Sequence, residues 1–439
     1  MEPINVLVIT YYWPPSGGPA VQRWLAFSNH LATQNVNLHV LTIDEKSANY
    51  PAIDQSLGLQ VSSKIKIYKT TSAELYWIYK KYIGKGKAPS AGFANEGTPG
   101  LLQKIARFVR GNFFLPDARK SWNKYALAEA RQIIKHENIS IIITAGPPHS
   151  THLVGLQLKK EFAIKWIADF HDAWTDVWYY AKLMHTPIAS YLDKKMERTV
   201  LESADKILTV GRFLRKVLSE KSNKINIGKI ELISMGYDES KFLSAPLVSK
   251  EEFIITYTGT IDGHYEPDVF FQAIASIKIK YPQIKFKIRF AGVLAEAVKN
   301  KIIQYGLLDN LQEMGYVSHE DSIKLLQSTT VLLLVSPKVK SENIIIPGKI
   351  YEYLAALKPI INIGSLQTES AMIINECSAG QNFDRSMVMQ LEQYLIELAE
   401  QWLINADLNL NSTNNEYKKY GRAEESKRLY KIITNLIAD

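Results

Sequence analysis

The chain has 439 residues, 46% hydrophobic and 22% charged, with a net charge of +8; this is too long for one compact core and favours two domains. No apolar run approaches the roughly 18–20 residues that span a bilayer. A lone Cys377 allows no internal disulfide, and Met1-Glu2-Pro3 does not open a signal peptide. The expectation is a soluble cytoplasmic protein. The positive surplus suits nucleic acid, anionic lipid or a phosphorylated small molecule without choosing among them.

Short apolar strands alternate with helical periodicity, the pattern of parallel sheets covered by helices. In the first half the predicted strands are Ile4 to Thr10, Leu38 to Ile43, Ile65 to Tyr68, Ile139 to Thr144, Trp166 to Phe170, Lys206 to Val210 and Ile230 to Ile233. Helices are predicted at Pro19 to Ala32, with proline in the first turn, at Lys124 to Lys135 and at Tyr191 to Ser203. A segment from Ser234 to Lys250 with Gly236, Pro246 and little periodicity reads as a linker. Beyond it, strands are predicted at Phe253 to Thr258, Lys285 to Phe290, Gln312 to Val317, Thr330 to Val335 and Pro359 to Ile363. After an Asn-rich break at 409–415, one last helix is expected over Tyr417 to Leu436.

The charge concentrates in residues 62–124. There thirteen Lys and Arg face only Glu74, Glu96 and Asp117, among ten aromatics that include Tyr76, Trp77, Tyr79, Tyr82, Phe113, Phe114 and Trp122. Gly84 to Gly100 interrupts the stretch. Over Leu101 to Arg110 the residues Leu101, Leu102, Ile105, Phe108 and Val109 recur at helical spacing, with Lys104 and Arg107 off the stripe. An amphipathic helix is predicted. A single helix of this kind ordinarily packs its stripe on a core, but the company of Trp77, Tyr79, Lys80, Lys81, Phe113 and Phe114 favours an insertion facing an anionic membrane.

In a doubly wound sheet, ligands bind beyond the carboxyl ends of strands. The loops there read YYWPPSGGP, AGPPHS, HDAWTD, GTIDGHY and SPKVKSENIIIPGK, and two sheets presenting them toward each other would form one cleft. Gly17 and Gly18 sit where backbone N–H groups favour phosphate, or mark only a tight turn. Neither a dinucleotide fingerprint nor a P-loop follows. In Pro347-Gly348-Lys349-Ile350-Tyr351-Glu352 a loop enters a helix: N–H groups and Lys349 suit a diphosphate, and Glu352 one turn inside suits two ribose hydroxyls. A solvated helical Glu is the bland reading. His149 and His171 each follow a strand, and Asp169 and Asp172 flank the second. The histidines lack both metal-ligand spacing and a serine elbow.

Together, YYWPPSGGPAVQRW, PDARKSW, ITAGPPHSTHLVGLQLK, WIADFHDAWTD, ISMGYDESKF, ITYTGT and PGKIYEYLAALKPIINIG resemble a bacterial glycosyltransferase of the family 4 type, with the GT-B fold. The resemblance implies two facing Rossmann-like domains, an acceptor domain over residues 1–243 and a nucleotide-sugar domain over 250–415. It also implies a C-terminal segment, 416–439, that crosses back to the first domain. It implies retaining transfer of a hexose from a nucleoside diphosphate sugar to a lipid-linked or saccharide acceptor in cell-surface polysaccharide synthesis, with no cofactor, no metal, no nucleic acid and no protein nucleophile. By position, Glu352 matches the second Glu of the family's E-x7-E element, and the first falls at Ile344. Glu342, two residues away, or backbone groups of Ile345 to Pro347 would replace it. Gly259 is followed by Thr260, where the family often has basic residues, so Lys349, Arg212 and N–H groups near Gly17, Gly18, Pro347 and Gly348 would face the diphosphate. His149 would touch the donor sugar, with His171 or Asp172 orienting the acceptor. A nucleotide-sugar epimerase with the same fold, or a non-catalytic binder of anionic surfaces or nucleic acid, are the alternatives.

Overall fold

The computed structural model describes residues 2–72, 100–243, 249–405, 408, 410 and 414–438. Tyr76, Trp77, Tyr79, Lys80, Lys81, Tyr82 and Gly84 lie outside the described residues, as does part of the Asn-rich break. The chain divides into two compact units, Met1–Met235 with Arg422–Asp439, and Gly236–Gly421.

The first unit is built on seven parallel strands: β1 (Ile4–Ile9), β2 (Val36–Ile43), β3 (Lys66–Thr70), β4 (Ile141–Gly146), β5 (Lys165–Phe170), β6 (Lys206–Thr209) and β7 (Ile230–Leu232). Their spatial order is β3-β2-β1-β4-β5-β6-β7, so the order reverses between β1 and β4. Near-continuous runs such as Val6 to Ile9 and Ile141 to Ile143 are fully buried, as strands covered on both faces must be. The described helices here are α1 (Pro19–Leu31), α2 (Gln55–Leu59), α3 (Leu101–Phe113), α4 (Asn123–His136), α5 (Ser150–Glu161), α6 (Pro187–Ser203) and α7 (Arg212–Ser219). Trp24, Phe27 and Leu31 of α1 pack on Val6, Val8, Leu38 and Val40.

The second unit holds six parallel strands: β8 (Phe253–Thr258), β9 (Phe286–Ala291), β10 (Leu311–Gly315), β11 (Val331–Val335), β12 (Ile360–Ile363) and β13 (Gly380–Phe383), in the order β10-β9-β8-β11-β12-β13. The short edge strand β13, Gly-Gln-Asn-Phe, carries no apolar pattern and escapes a reading by periodicity. Helices α8 (Asp268–Lys280), α9 (Glu296–Gln304), α10 (His319–Gln327), α11 (Lys349–Ala356), α12 (Glu369–Glu376) and α13 (Val388–Asn405) complete this unit.

The single terminal helix expected over Tyr417 to Leu436 is in fact two pieces. A 3-10 turn, Glu416–Tyr420, belongs with the second unit, and α14 (Arg422–Ala438) with the first. The break falls at Gly421, against which the Glu239 side chain lies: a Cβ there would come within 2.1 Å of Oε1 and displace that flexible carboxylate. In α14, Leu429, Ile433 and Leu436 join the core of the first sheet. Full burial of such side chains contributes about 1.5–3 kcal/mol each.

Candidate active site

In the first unit the sequence AGPPHS carries the chain from β4 to α5. Ser150, first in α5, is held from outside the helix: its N–H and its hydroxyl donate to Asp117 Oδ2 and Oδ1, each at 2.8 Å. A carboxylate at this end satisfies orphan donors and complements the helix dipole. Asn123 Nδ2 donates to Ser150 O at 2.7 Å, and Trp122 Nε1 to Thr70 Oγ1 at 2.8 Å. PDARKSW is therefore a clasp around the AGPPHS loop. Sequence reasoning saw its charge and missed this role.

The loop after β5, HDAWTD, is fixed by α6. Trp174 Nε1 and Tyr180 Oη donate to the two oxygens of Asp193, at 2.8 and 2.9 Å, and burial raises that carboxyl to about 6. One turn on, Glu197 accepts from Thr175 Oγ1 at 2.6 Å and pairs with Lys221 at 3.1 Å. Lys221 also pairs with Asp176.

These two loops border a cavity of about 320 Å3 whose wall includes Tyr12, Arg119, His149, Asp172, Trp174 and Asp193. His149 stacks on Trp174 with ring centroids 5.1 Å apart and planes 8° from parallel, and its Nε2 lies 3.3 Å from Ala173 O. Desolvation, reinforced by His171, lowers its pKa to about 3, so the ring is neutral at physiological pH. Desolvation and then Arg23 depress His171 likewise, to about 3. Its Nε2 is 3.9 Å from Asp172 Oδ2. Asp172 has 62% of its side chain accessible, and the upward push of desolvation on its carboxyl acts against that open solvent. Asp169 takes no part in the cavity: it is buried in a pair with Arg23 at 2.6 Å and accepts from Trp24 Nε1 at 2.8 Å. Gly17, Gly18 and Arg212 do not line the cavity. The Gly17 N–H already donates to Ala52 O at 3.0 Å, Gly18 precedes α1 with φ 117°, and Arg212 opens α7.

In the second unit, Lys349 stands at the start of α11. Its ammonium donates to Thr258 O at the end of β8 and lies 3.8 Å from the centre of the Tyr257 ring. Gly259 follows with φ 97°, and a Cβ there would come within 3.0 Å of Lys349 Nζ, so glycine leaves the lysine its place. Although the residue is partly accessible, desolvation lowers the Lys349 pKa to about 7, offset in part by Glu352. Thr260 O accepts from Tyr257 Oη at 2.8 Å. Pro347 O accepts from Ile350 N at 3.0 Å, and Gly348 is already helical, at φ −55°. Glu352 Oε1 is 2.7 Å from His319 Nε2, while His319 Nδ1 is 3.1 Å from Lys241 Nζ. Lysine only donates, so His319 accepts at Nδ1 and donates from Nε2 to the carboxylate. His319 was not singled out, because nothing in GYVSHED marks it.

Glu342, the alternative to the missing first acid, is already paired within its own unit. Its Oε1 accepts from Ser365 N at 2.8 Å and from Arg385 at 3.2 Å, and its Oε2 from Arg385 at 3.3 Å. Among the described residues no group of three His, Cys, Asp or Glu is arranged to hold a metal ion, and no helix is long and apolar enough to cross a membrane.

Each of the two units is a parallel sheet with such loops beyond its strand ends, and comparison with known proteins gives the class. Residues 89–241 match the family model described as Glycosyltransferase Family 4, and residues 239–424 match Glycosyl transferases group 1. The chain belongs to the glycosyltransferases of this type, with the GT-B fold. A glycosyltransferase from Rickettsia africae is similar at 14% identity and a TM-score of 0.63, over 100% of this chain and 99% of that one. Anabaena HepE in complex with UDP is similar at 9% identity and 0.62, over 98% and 100%. Staphylococcus aureus TarM, with UDP, fondaparinux and alpha-GlcNAc-glycerol, is similar at 12% and 0.59, over 99% and 100%. No curated protein matches the sequence.

Proposed function

We propose that the protein is a retaining, metal-independent hexosyltransferase. In this reading a nucleoside diphosphate sugar is the donor and a saccharide, carried on lipid at the cytoplasmic face of an anionic membrane, is the acceptor in polysaccharide assembly. The observation that carries the donor half is the start of α11, where Lys349 and Glu352 stand one turn apart at the helix N-terminus, a match for diphosphate and ribose. UDP bound to HepE and to TarM supports a nucleotide of this kind. As the diphosphate leaves, negative charge grows on its oxygen, and a preorganised ammonium and N–H groups stabilise it. His149 donates a hydrogen bond to the sugar, and His171 or Asp172 orients the acceptor hydroxyl. The acceptor oxygen bonds to the anomeric carbon on the face the leaving group vacates while the bond from that carbon to the diphosphate oxygen breaks, and the hydroxyl proton passes to the departing diphosphate oxygen, so no enzyme nucleophile is assigned.

The membrane half rests on α3, which is turned inside out. Gly111 is buried and Arg107 and Arg110 are half-buried, while Leu101, Leu102, Ile105, Phe108, Val109 and Phe113 face solvent, Leu101 at 75% and Phe113 at 73% exposure. A Cβ at Gly111 would meet Leu183 O at 2.2 Å, which locks this orientation. On the adjoining α6, Ile188, Tyr191 and Leu192 are exposed as well. An apolar face beside basic residues suits the boundary of an anionic bilayer.

The test is transfer of labelled sugar from UDP-, GDP-, ADP- and dTDP-sugars to vesicles of bacterial lipid extract. Product with the donor's anomeric configuration is expected, and His149→Ala should lose most turnover while melting near the wild-type temperature. Inverted product, or full turnover by His149→Ala, would overturn the corresponding part.

A further inference from the structure

Behind His149 lies a second histidine that the proposed chemistry does not use. His152, one turn into α5, is wholly buried and packs face to face on Phe170 at 4.4 Å. Its Nδ1 is 2.9 Å from Thr144 Oγ1, and Trp166 Nε1 donates to that same Oγ1 at 2.9 Å. Indole N–H is only a donor, so the threonine oxygen receives it and spends its own single proton on His152 Nδ1, the acceptor in reach. A neutral His152 then carries its proton on Nε2. Desolvation keeps the ring neutral by pushing its pKa well down.

His149 is fixed by the same logic. A carbonyl oxygen only accepts, so the contact with Ala173 O places the His149 proton on Nε2 and leaves Nδ1 an acceptor. Both leftover nitrogens, His152 Nε2 and His149 Nδ1, are buried without a protein partner. A buried polar atom left unpaired is costly. The two border one small space: a Cβ on Gly146 would stand 2.5 Å from His152 Nε2 and 3.2 Å from His149 Nδ1. One is a donor and the other an acceptor.

We infer that His152 is the positioning residue of this site: its Nε2–H points its proton at the space beside Gly146 that His149 Nδ1 also borders, and one water there carries the hydrogen bond from the first nitrogen to the second. The chain Trp166, Thr144, His152, His149 then fixes every proton in turn and leaves His149 with Nε2–H at the cavity wall. The long 3.3 Å contact with Ala173 O is one that a sugar oxygen can displace. His149 thus meets its ligand as a neutral hydrogen-bond donor and not as a base. The inference rests on the reading of His149 as a sugar contact, but its geometry does not.

The experiment is nitrogen NMR of protein labelled at histidine side chains, without substrate, for wild type, His152→Phe and His152→Gln, with His149→Ala for assignment. In wild type, His149 and His152 should each show a protonated Nε2 and an unprotonated Nδ1. Phenylalanine keeps the stack on Phe170 but has no N–H, and the 3.3 Å contact with Ala173 O is too long to hold the proton by itself, so His149 should lose its single tautomer. Glutamine, whose amide nitrogen reaches the Nε2 position, should restore it. A proton on His149 Nδ1 or His152 Nδ1 in wild type overturns the inference, as does a His149 tautomer indifferent to phenylalanine. The wild-type spectrum decides by itself should a variant fail to fold. Predicted spectra alongside a fully active His149→Ala would sink only the catalytic reading; the opposite pair of results would sink only the relay.

Discussion

Lys349 illustrates how one residue ties the fold to the chemistry. With its pKa lowered from 10.5 to about 7, the amine of the free protein is largely neutral above pH 7, and a bound diphosphate restores the ammonium. Binding then takes up a proton between pH 7 and the ordinary lysine value, and affinity falls by as much as about tenfold per pH unit through that window. Calorimetry of UDP binding in buffers of different ionisation heat measures this directly. A pH-independent affinity with no proton uptake would contradict it. Asp169 makes a different point: by sequence it sits beside the site, yet it is the buried counter-charge of Arg23. Asp169→Asn leaves a guanidinium uncompensated in the core, and the expected cost is about 3–5 kcal/mol in urea unfolding. A change within experimental error would show that the pair is dispensable. Neither the pairing of Asp169 with Arg23 nor that of Glu342 with Arg385 is legible in the sequence, because both join residues far apart along the chain.

At the scale of elements the period of the apolar pattern revealed twelve of the thirteen strands among the described residues, with ends within two residues. Buried parallel strands announce themselves as apolar runs. Only β13 escaped, a four-residue edge strand with a single buried residue, Phe383. Helix α6 starts earlier than periodicity indicates, at Pro187, because Thr186 caps it by accepting from Ala189 N at 3.2 Å. The amphipathic pattern of α3 was visible, but its direction was not, since spacing alone does not say which face turns inward. Gly111 against Leu183 decides that. Changing Leu101, Ile105 and Phe108 together to Ser should abolish sedimentation with anionic vesicles and leave the melting temperature unchanged or higher, because these side chains already face solvent. Wild-type binding should fall with salt. A large loss of stability, or vesicle binding that survives, would return the face to an internal role.

For the molecule as a whole, one rule, that ligands gather beyond strand ends, directs attention to AGPPHS, HDAWTD and PGKIYE, and the structure has these segments following β4, β5 and β11. The rule does not point to the residues that hold them in place. Asp117, Asp193, Glu197, His152 and His319 act through hydrogen bonds that close only in the folded chain. The central claim is that α11 receives a nucleoside diphosphate sugar, and titration of UDP-, GDP-, ADP- and dTDP-sugars into wild type, Glu352→Ala and Lys349→Ala tests it most directly. Wild type should bind at least one of these. Glu352→Ala should weaken that binding by about 1.5–3 kcal/mol, the worth of charge-assisted hydrogen bonds to ribose, and Lys349→Ala should weaken it where the diphosphate is intact but not for the free nucleoside. Binding of the same sugar nucleotide with unaltered affinity by both variants would contradict the account.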